Sequence, residues 1–138
     1  MATGVLVLVG TLVLATAAGV LLRKRDGRVR TTVVSGLPAD VQALVAPAGV
    51  TLVQLSTTFC APCRHARVVL ANLAERVDGL HHTELDLTER PDLARELSVL
   101  RTPTTLAVDG NGTELLRVGG VPKRDELLAA LRSHLPSH

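Results

Sequence analysis

The sequence predicts an α/β fold: a central mixed β-sheet flanked by helices and preceded by one N-terminal transmembrane helix. Three observations lead there. The first 22 residues contain no Asp, Glu, Lys or Arg, about the length a helix needs to cross a ~30 Å hydrocarbon core at ~1.5 Å per residue. Beyond them, short apolar runs alternate with stretches whose apolar residues recur at helical spacing, which is the pattern of a layered α/β domain. Near the end, Asp109-Gly110-Asn111-Gly112 is a strong hairpin turn that adds an antiparallel strand. A length of 138 residues fits one domain plus an appendage.

The N-terminal run is rich in Val and Leu, with Gly4, Gly10 and Gly19 interspersed. Lipid tolerates such residues in a helix, because breaking backbone hydrogen bonds there costs more than poor propensity does. The spacing of Gly4 and Gly10 is not G-x-x-x-G, so the run carries no sharp dimerisation signal. Residues 1–22 are expected to be a transmembrane helix that contacts the membrane through residues 4–22. Residues 23–36 are expected to be a basic juxtamembrane linker, and 37–138 the globular domain. Two other readings compete. A buried core helix would be unusually long. A cleaved signal peptide is supported by Ala15-Thr16-Ala17, an A-x-A site, but no Lys or Arg precedes the run. Arg23-Lys24-Arg25 directly follows it, so the positive-inside rule places the C-terminal domain in the cytoplasm.

The domain elements follow in order. Thr31–Val34 is β-branched and reads as an edge strand. Leu37–Ala46 reads as a helix, with Pro38 in its first turn and Val41, Leu44 and Val45 forming a stripe. Val50–Ser56 is a short apolar run typical of a buried strand. Cys60–Val77 reads as a helix with Val68, Leu70, Leu73 and Val77 on one face, stopped by Asp78-Gly79. His82–Leu87 alternates as a strand, and the adjacent His81 and His82 suggest a solvated loop. Pro91–Leu97 is a helix with acidic residues near its start, which suits the dipole. Thr104–Val108 and Thr113–Val118 form the hairpin, and Pro122–Leu135 closes the chain with Leu127, Leu128 and Leu131 inward. Strands separated by helices imply parallel pairing through right-handed crossovers.

Composition narrows the function. The chain has one Phe and no Trp or Tyr, which argues against the aromatic stacking platforms of single-strand nucleic-acid binders. Of 15 Lys/Arg and 13 Asp/Glu, five basic residues and only Asp26 fall within 23–30, leaving ten basic against twelve acidic from Thr31 onward. The basic patch therefore suits a membrane surface rather than nucleic acid. The only cysteines, Cys60 and Cys63, lie three positions apart at a strand–helix junction. A disulfide-stapled scaffold would use more cysteines, at wider spacings. A zinc site would need two more ligands, and His65, His81 and His82 fit no common zinc spacing; no metal is expected. On the first helical turn, i and i+3 bring two sulfurs within bonding distance, and the helix N-terminus stabilises a thiolate. Pro62 fits that turn, and Arg64 and His65 add positive potential.

The segment Val50-Thr51-Leu52-Val53-Gln54-Leu55-Ser56-Thr57-Thr58-Phe59-Cys60-Ala61-Pro62-Cys63 resembles the strand and C-x-P-C motif of the thioredoxin family. Arg101-Thr102-Pro103-Thr104 resembles that family's cis-proline loop, which faces the disulfide. Gly119-Gly120 falls where members carry a glycine before the last helix. The resemblance covers about Leu37–Leu135 and implies a thioredoxin-like fold with a redox-active Cys60–Cys63 dithiol/disulfide. It makes Cys60 the attacking and Cys63 the resolving thiol, puts a cis peptide at Pro103, and lets the Thr102 backbone pair with an extended substrate. Phe59 and Gly119 are further implied substrate contacts. The sequence departs from the family at four positions. Phe59 replaces the usual Trp and is expected to keep an apolar cover. Gln54 stands at the buried acid that helps deprotonate the resolving cysteine. Glu84, where Lys is common, reads as a solvated strand charge. Val68 replaces the helix-kinking proline.

The expected activity is thiol–disulfide exchange, as a protein-disulfide reductase without organic cofactor. The partners are a disulfide-containing protein substrate and a reductase or small-thiol donor. Two alternatives stand beside it: an extracytoplasmic disulfide oxidoreductase of envelope or cytochrome assembly, and a non-enzymatic membrane-tethered binding module or redox sensor, for which Gln54 is the best support.

Overall fold

The computed structural model describes residues 1–136; the last two residues of the expected 37–138 domain lie outside them. The elements are α1 (Ala2–Arg25), β1 (Val29–Val34), α2 (Ala39–Gln42), β2 (Val50–Ser56), α3 (Ala61–Arg76), β3 (Leu80–Asp86), α4 (Pro91–Glu96), β4 (Thr104–Asp109), β5 (Glu114–Gly119) and α5 (Arg124–Leu131). Five strands form one mixed sheet in the order β1-β5-β4-β2-β3. This is the thioredoxin-like arrangement the sequence predicts.

The expected parallel pairing is corrected at all but one crossover. Only β2 and β3 are parallel; β4 runs antiparallel to β2, and β1 antiparallel to β5. Helix length decides this. The 16 residues of α3 span ~24 Å at ~1.5 Å per residue, enough to return along a seven-residue strand of ~23 Å. The six residues of α4 span only ~9 Å, so the chain re-enters the sheet from the end where β3 left it and runs back. The predicted hairpin is present, with β4 and β5 antiparallel.

The sheet is covered on both faces, and every residue of β2 is buried, as expected of a strand with helices on either side. Along β2, Val50 and Leu52 join Leu70, Leu73, Leu127 and Leu131 under α3 and α5. The alternate residues Val53 and Leu55 join Val41, Leu93 and Leu97 under α2 and α4. The α3 stripe is Cys63, Ala66, Leu70 and Leu73. Val68 is not part of it and is exposed, because five positions from Cys63 put it on the far side of a 3.6-residue turn. The α2 helix is one turn rather than ten residues; Val41 is buried, with Leu44 and Val45 packed beside its cluster. In α5, Leu127 and Leu131 are buried and Leu128 partly so.

The α1 helix has no buried residue. It is long and apolar enough to cross a membrane. Its C-terminus carries Arg23, Lys24 and Arg25, and Asp26 caps it in extended conformation. Residues 29–34, inside the expected linker, are sheet edge: Val29 pairs with Val118 and Thr31 with Leu116.

Candidate active site

Strand β2 delivers the chain to the site and α3 carries it away. Cys60 is the N-cap of α3 rather than its first helical residue, and Cys63 N–H donates to the Cys60 sulfur at 3.2 Å. The two sulfurs are bonded, S–S 2.07 Å, with the Cα atoms 5.2 Å apart. Pro62 sits in the first turn, where its missing N–H leaves no bond unmade. The start of α3 puts the positive end of the helix dipole beside Cys60. The two cysteines differ in exposure: Cys60 is partly open, whereas Cys63 is 2% exposed.

The loop before β4 faces the pair. The Thr102–Pro103 peptide is cis. The Thr102 hydroxyl lies 3.8 Å from the Cys60 sulfur and 3.2 Å from the Thr57 hydroxyl. Gly119 is reached from the same loop, because its carbonyl accepts from Arg101 Nη2 at 3.0 Å. Thus Cys60, Cys63, Thr102 and Pro103 come together, with Gly119 at the far end of the loop. Phe59 is corrected: it adopts φ 61°, in the left-handed region that non-glycine residues seldom occupy. Its ring is fully exposed and covers nothing.

Behind the disulfide, Gln54 is fully buried and satisfied. Its Nε2 donates to the Cys63 carbonyl at 2.8 Å, and its Oε1 lies 3.2 Å from His82 Nε2. His82 is therefore part of β3 and half-buried, not in a solvated loop, and burial pushes its pKa below the usual imidazole value. Glu84 is not simply solvated either. It accepts from Arg67 Nε and Nη2 at 2.5 and 2.7 Å and from Ser56 Oγ at 2.5 Å. The hydrogen bonds from Arg67, more than those from Ser56, hold the carboxyl below its ordinary pKa. A carboxylate so engaged is a weak proton acceptor at neutral pH. Ser56, Arg67 and Glu84 line a cleft of about 270 Å³ that opens beside Cys60 and Cys63.

No motif in the chain signals this network. Ser56, Arg67, Gln54 and His82 are brought together by the β2–β3 register and the pitch of α3. A cysteine pair at a helix start, one sulfur open and one covered, facing a cis-proline loop, is the working part of a thiol–disulfide oxidoreductase. The comparisons agree at the level of family. The Thioredoxin family model matches residues 33–133, most of the chain, and the chain belongs to the thioredoxin family. It is 34% identical to Thioredoxin H2 of Arabidopsis thaliana over 76 residues, 55% of this chain and 56% of that protein. It is also 34% identical to thioredoxin of Staphylococcus saprophyticus over 88 residues, 63% of this chain and 84% of that one. Among solved structures, a mutant thioredoxin from Halobacterium salinarum shares the fold, with a TM-score of 0.61 and 22% identity over 73% of this chain and 88% of the other. Membership implies disulfide substrates and a reductase partner.

Proposed function

We propose that this chain is a membrane-anchored protein-disulfide reductase whose residues 1–22 span the bilayer and whose redox domain faces the cytoplasm. The unequal exposure of the two sulfurs carries the assignment of roles: Cys60 is reachable by a substrate and Cys63 by Cys60 alone. In the reduced protein, the Cys60 thiolate attacks one sulfur of a substrate disulfide. An S–S bond forms between Cys60 and that sulfur, and the other substrate sulfur leaves as a thiolate. Cys63 loses its proton and attacks Cys60, which forms the Cys60–Cys63 bond and releases the second substrate sulfur. Two electrons and two protons pass from the protein dithiol to the substrate, which leaves as a dithiol. A reductase or small thiol then returns both.

The Thr102 and Pro103 backbone holds the extended substrate across the disulfide, Phe59 offers it an apolar side chain, and Gly119 completes the groove. Residues 23–36 serve as a basic membrane-facing segment that also supplies the edge strand, and 37–138 form the rest of the redox domain. Arg23, Lys24 and Arg25 at the end of the apolar helix support the cytoplasmic placement.

Cys60→Ser is expected to abolish disulfide turnover, and Cys63→Ser to accumulate the mixed disulfide, seen as a mass adduct on Cys60. Full turnover by Cys60→Ser would sink the assignment. The reduction potential tests direction. A value near or below about −270 mV fits a reductant, whereas one near about −120 mV fits an outward-facing oxidant.

A further inference from the structure

The segment between membrane helix and domain has no slack. The α1 helix ends at Arg25 and β1 begins at Val29, and two of the three residues between them are docked. The Asp26 carboxylate accepts from Arg101 Nη1. The Gly27 N–H donates at 2.9 Å to the Gly119 carbonyl, which also accepts from Arg101 Nη2. Gly27 is buried at φ 73°, and a Cβ there would collide with the Val121 carbonyl. The Asp26–Arg101 pair is about half exposed, and such a pair alone contributes little in water. The buried glycine and the shared Gly119 carbonyl give the joint its definition. Arg101 is also the residue before Thr102, whose hydroxyl lies 3.8 Å from the Cys60 sulfur. A short run of contacts therefore links the end of the membrane helix to the disulfide.

Depth follows from helix length. The apolar part of α1, residues 2–22, covers ~32 Å at ~1.5 Å per residue, about one hydrocarbon core. Arg23, Lys24 and Arg25 then lie at headgroup level, where cations are favoured. Asp26 follows at once, within ~6 Å of the core edge. Leu100, the neighbour of Arg101, is 97% exposed, which is costly in water and favourable at an interface.

We propose that the Asp26–Arg101–Gly119 joint locks the active-site face against the membrane surface, and that the substrates are disulfides of membrane-held proteins lying within headgroup distance of the bilayer. The proposal rests on the membrane-anchored reductase read above, and it names the substrate class of that site. A tether this short gives a membrane-held disulfide at the right height a large effective concentration, and gives one displaced from the surface little.

The test uses the full chain in nanodiscs of phosphatidylcholine and phosphatidylglycerol. The probes are one disulfide-bonded peptide in three forms: acylated close to the disulfide, acylated through a Gly/Ser spacer of roughly thirty residues reaching ~30 Å, and unanchored. Wild type is expected to reduce the closely acylated peptide at least about tenfold faster than the spaced one. Inserting about twelve Gly/Ser residues between Arg25 and Asp26 leaves the joint intact but frees the domain from the bilayer, and should bring the two rates within about twofold. Equal wild-type rates, or a preference untouched by the insertion, with reduction of the unanchored peptide intact, overturn the proposal alone. Failure to reduce even the unanchored peptide, or failure of the chain to enter nanodiscs, overturns the underlying reading and the proposal with it.

Discussion

Thr105 and Gln54 face each other across β4 and β2, both fully buried, and they contrast in what burial costs. Gln54 meets the Cys63 carbonyl and His82. The Thr105 hydroxyl is, among the described residues, the one buried side-chain polar atom without a partner. An unpaired buried hydroxyl costs on the order of 1–3 kcal/mol, while its apolar isostere costs nothing comparable. Thr105→Val keeps the shape and the β-branching and should stabilise the fold by about 1 kcal/mol. The check is a higher urea midpoint at unchanged m-value; a lower midpoint would show that the hydroxyl is satisfied after all. At this scale the sequence revealed what is local. Cys60, Cys63 and Pro103 were legible because C-x-P-C and T-P-T are contiguous in the chain. The exposure of Phe59 was not, because a positive φ at a non-glycine residue leaves no mark in composition.

At the scale of elements, the contact between α3 and β3 beside the disulfide sets a pH dependence. Glu84 on β3 is paired with Arg67 on α3, and its pKa in the fold is lowered from 4.5. His82 on the same strand is lowered from 6.5, chiefly by burial. In both cases the unfolded chain binds the proton more readily, so stability rises with pH. The His82 contribution is complete above about 6.5 and is lost as pH falls below that value. The Glu84 contribution is complete above about 4.5 and is lost as pH falls through its lower folded value. The urea midpoint should therefore decline in two stages on acidification. His82→Asn should flatten the first and Glu84→Gln the second; a wild-type profile flat from about pH 7 to 5 would contradict the His82 stage, and one flat from about pH 5 to 2 the Glu84 stage. Both groups are partly exposed, so the stages are shallow. Element types were legible from periodicity, and strand direction was not. A βαβ pattern fixes parallel pairing only when the helix is long enough to carry the chain back, which α3 is and α4 is not.

For the whole molecule, the sequence displayed an apolar helix and a basic flank but concealed that the flank docks on the active-site loop. Asp26 and Arg101 are 75 positions apart, and neither belongs to a motif. The flank supports the orientation proposed above: Arg23, Lys24 and Arg25 lie at the end of α1, and a cationic flank favours the cytoplasmic side. Both cysteines of the chain lie in the domain, so the chain carries its own topology reporter. After mild reduction, an impermeant maleimide added to intact cells should leave Cys60 unlabelled in the wild type and label it only after lysis. Moving the charge should invert this: Thr3→Lys combined with Arg23→Gln, Lys24→Gln and Arg25→Gln should expose Cys60 to the reagent in intact cells. Labelling of the wild type before lysis would place the domain outside. The reductase reading would then give way to extracytoplasmic exchange, while the joint at Asp26 would hold the disulfide at the opposite membrane surface.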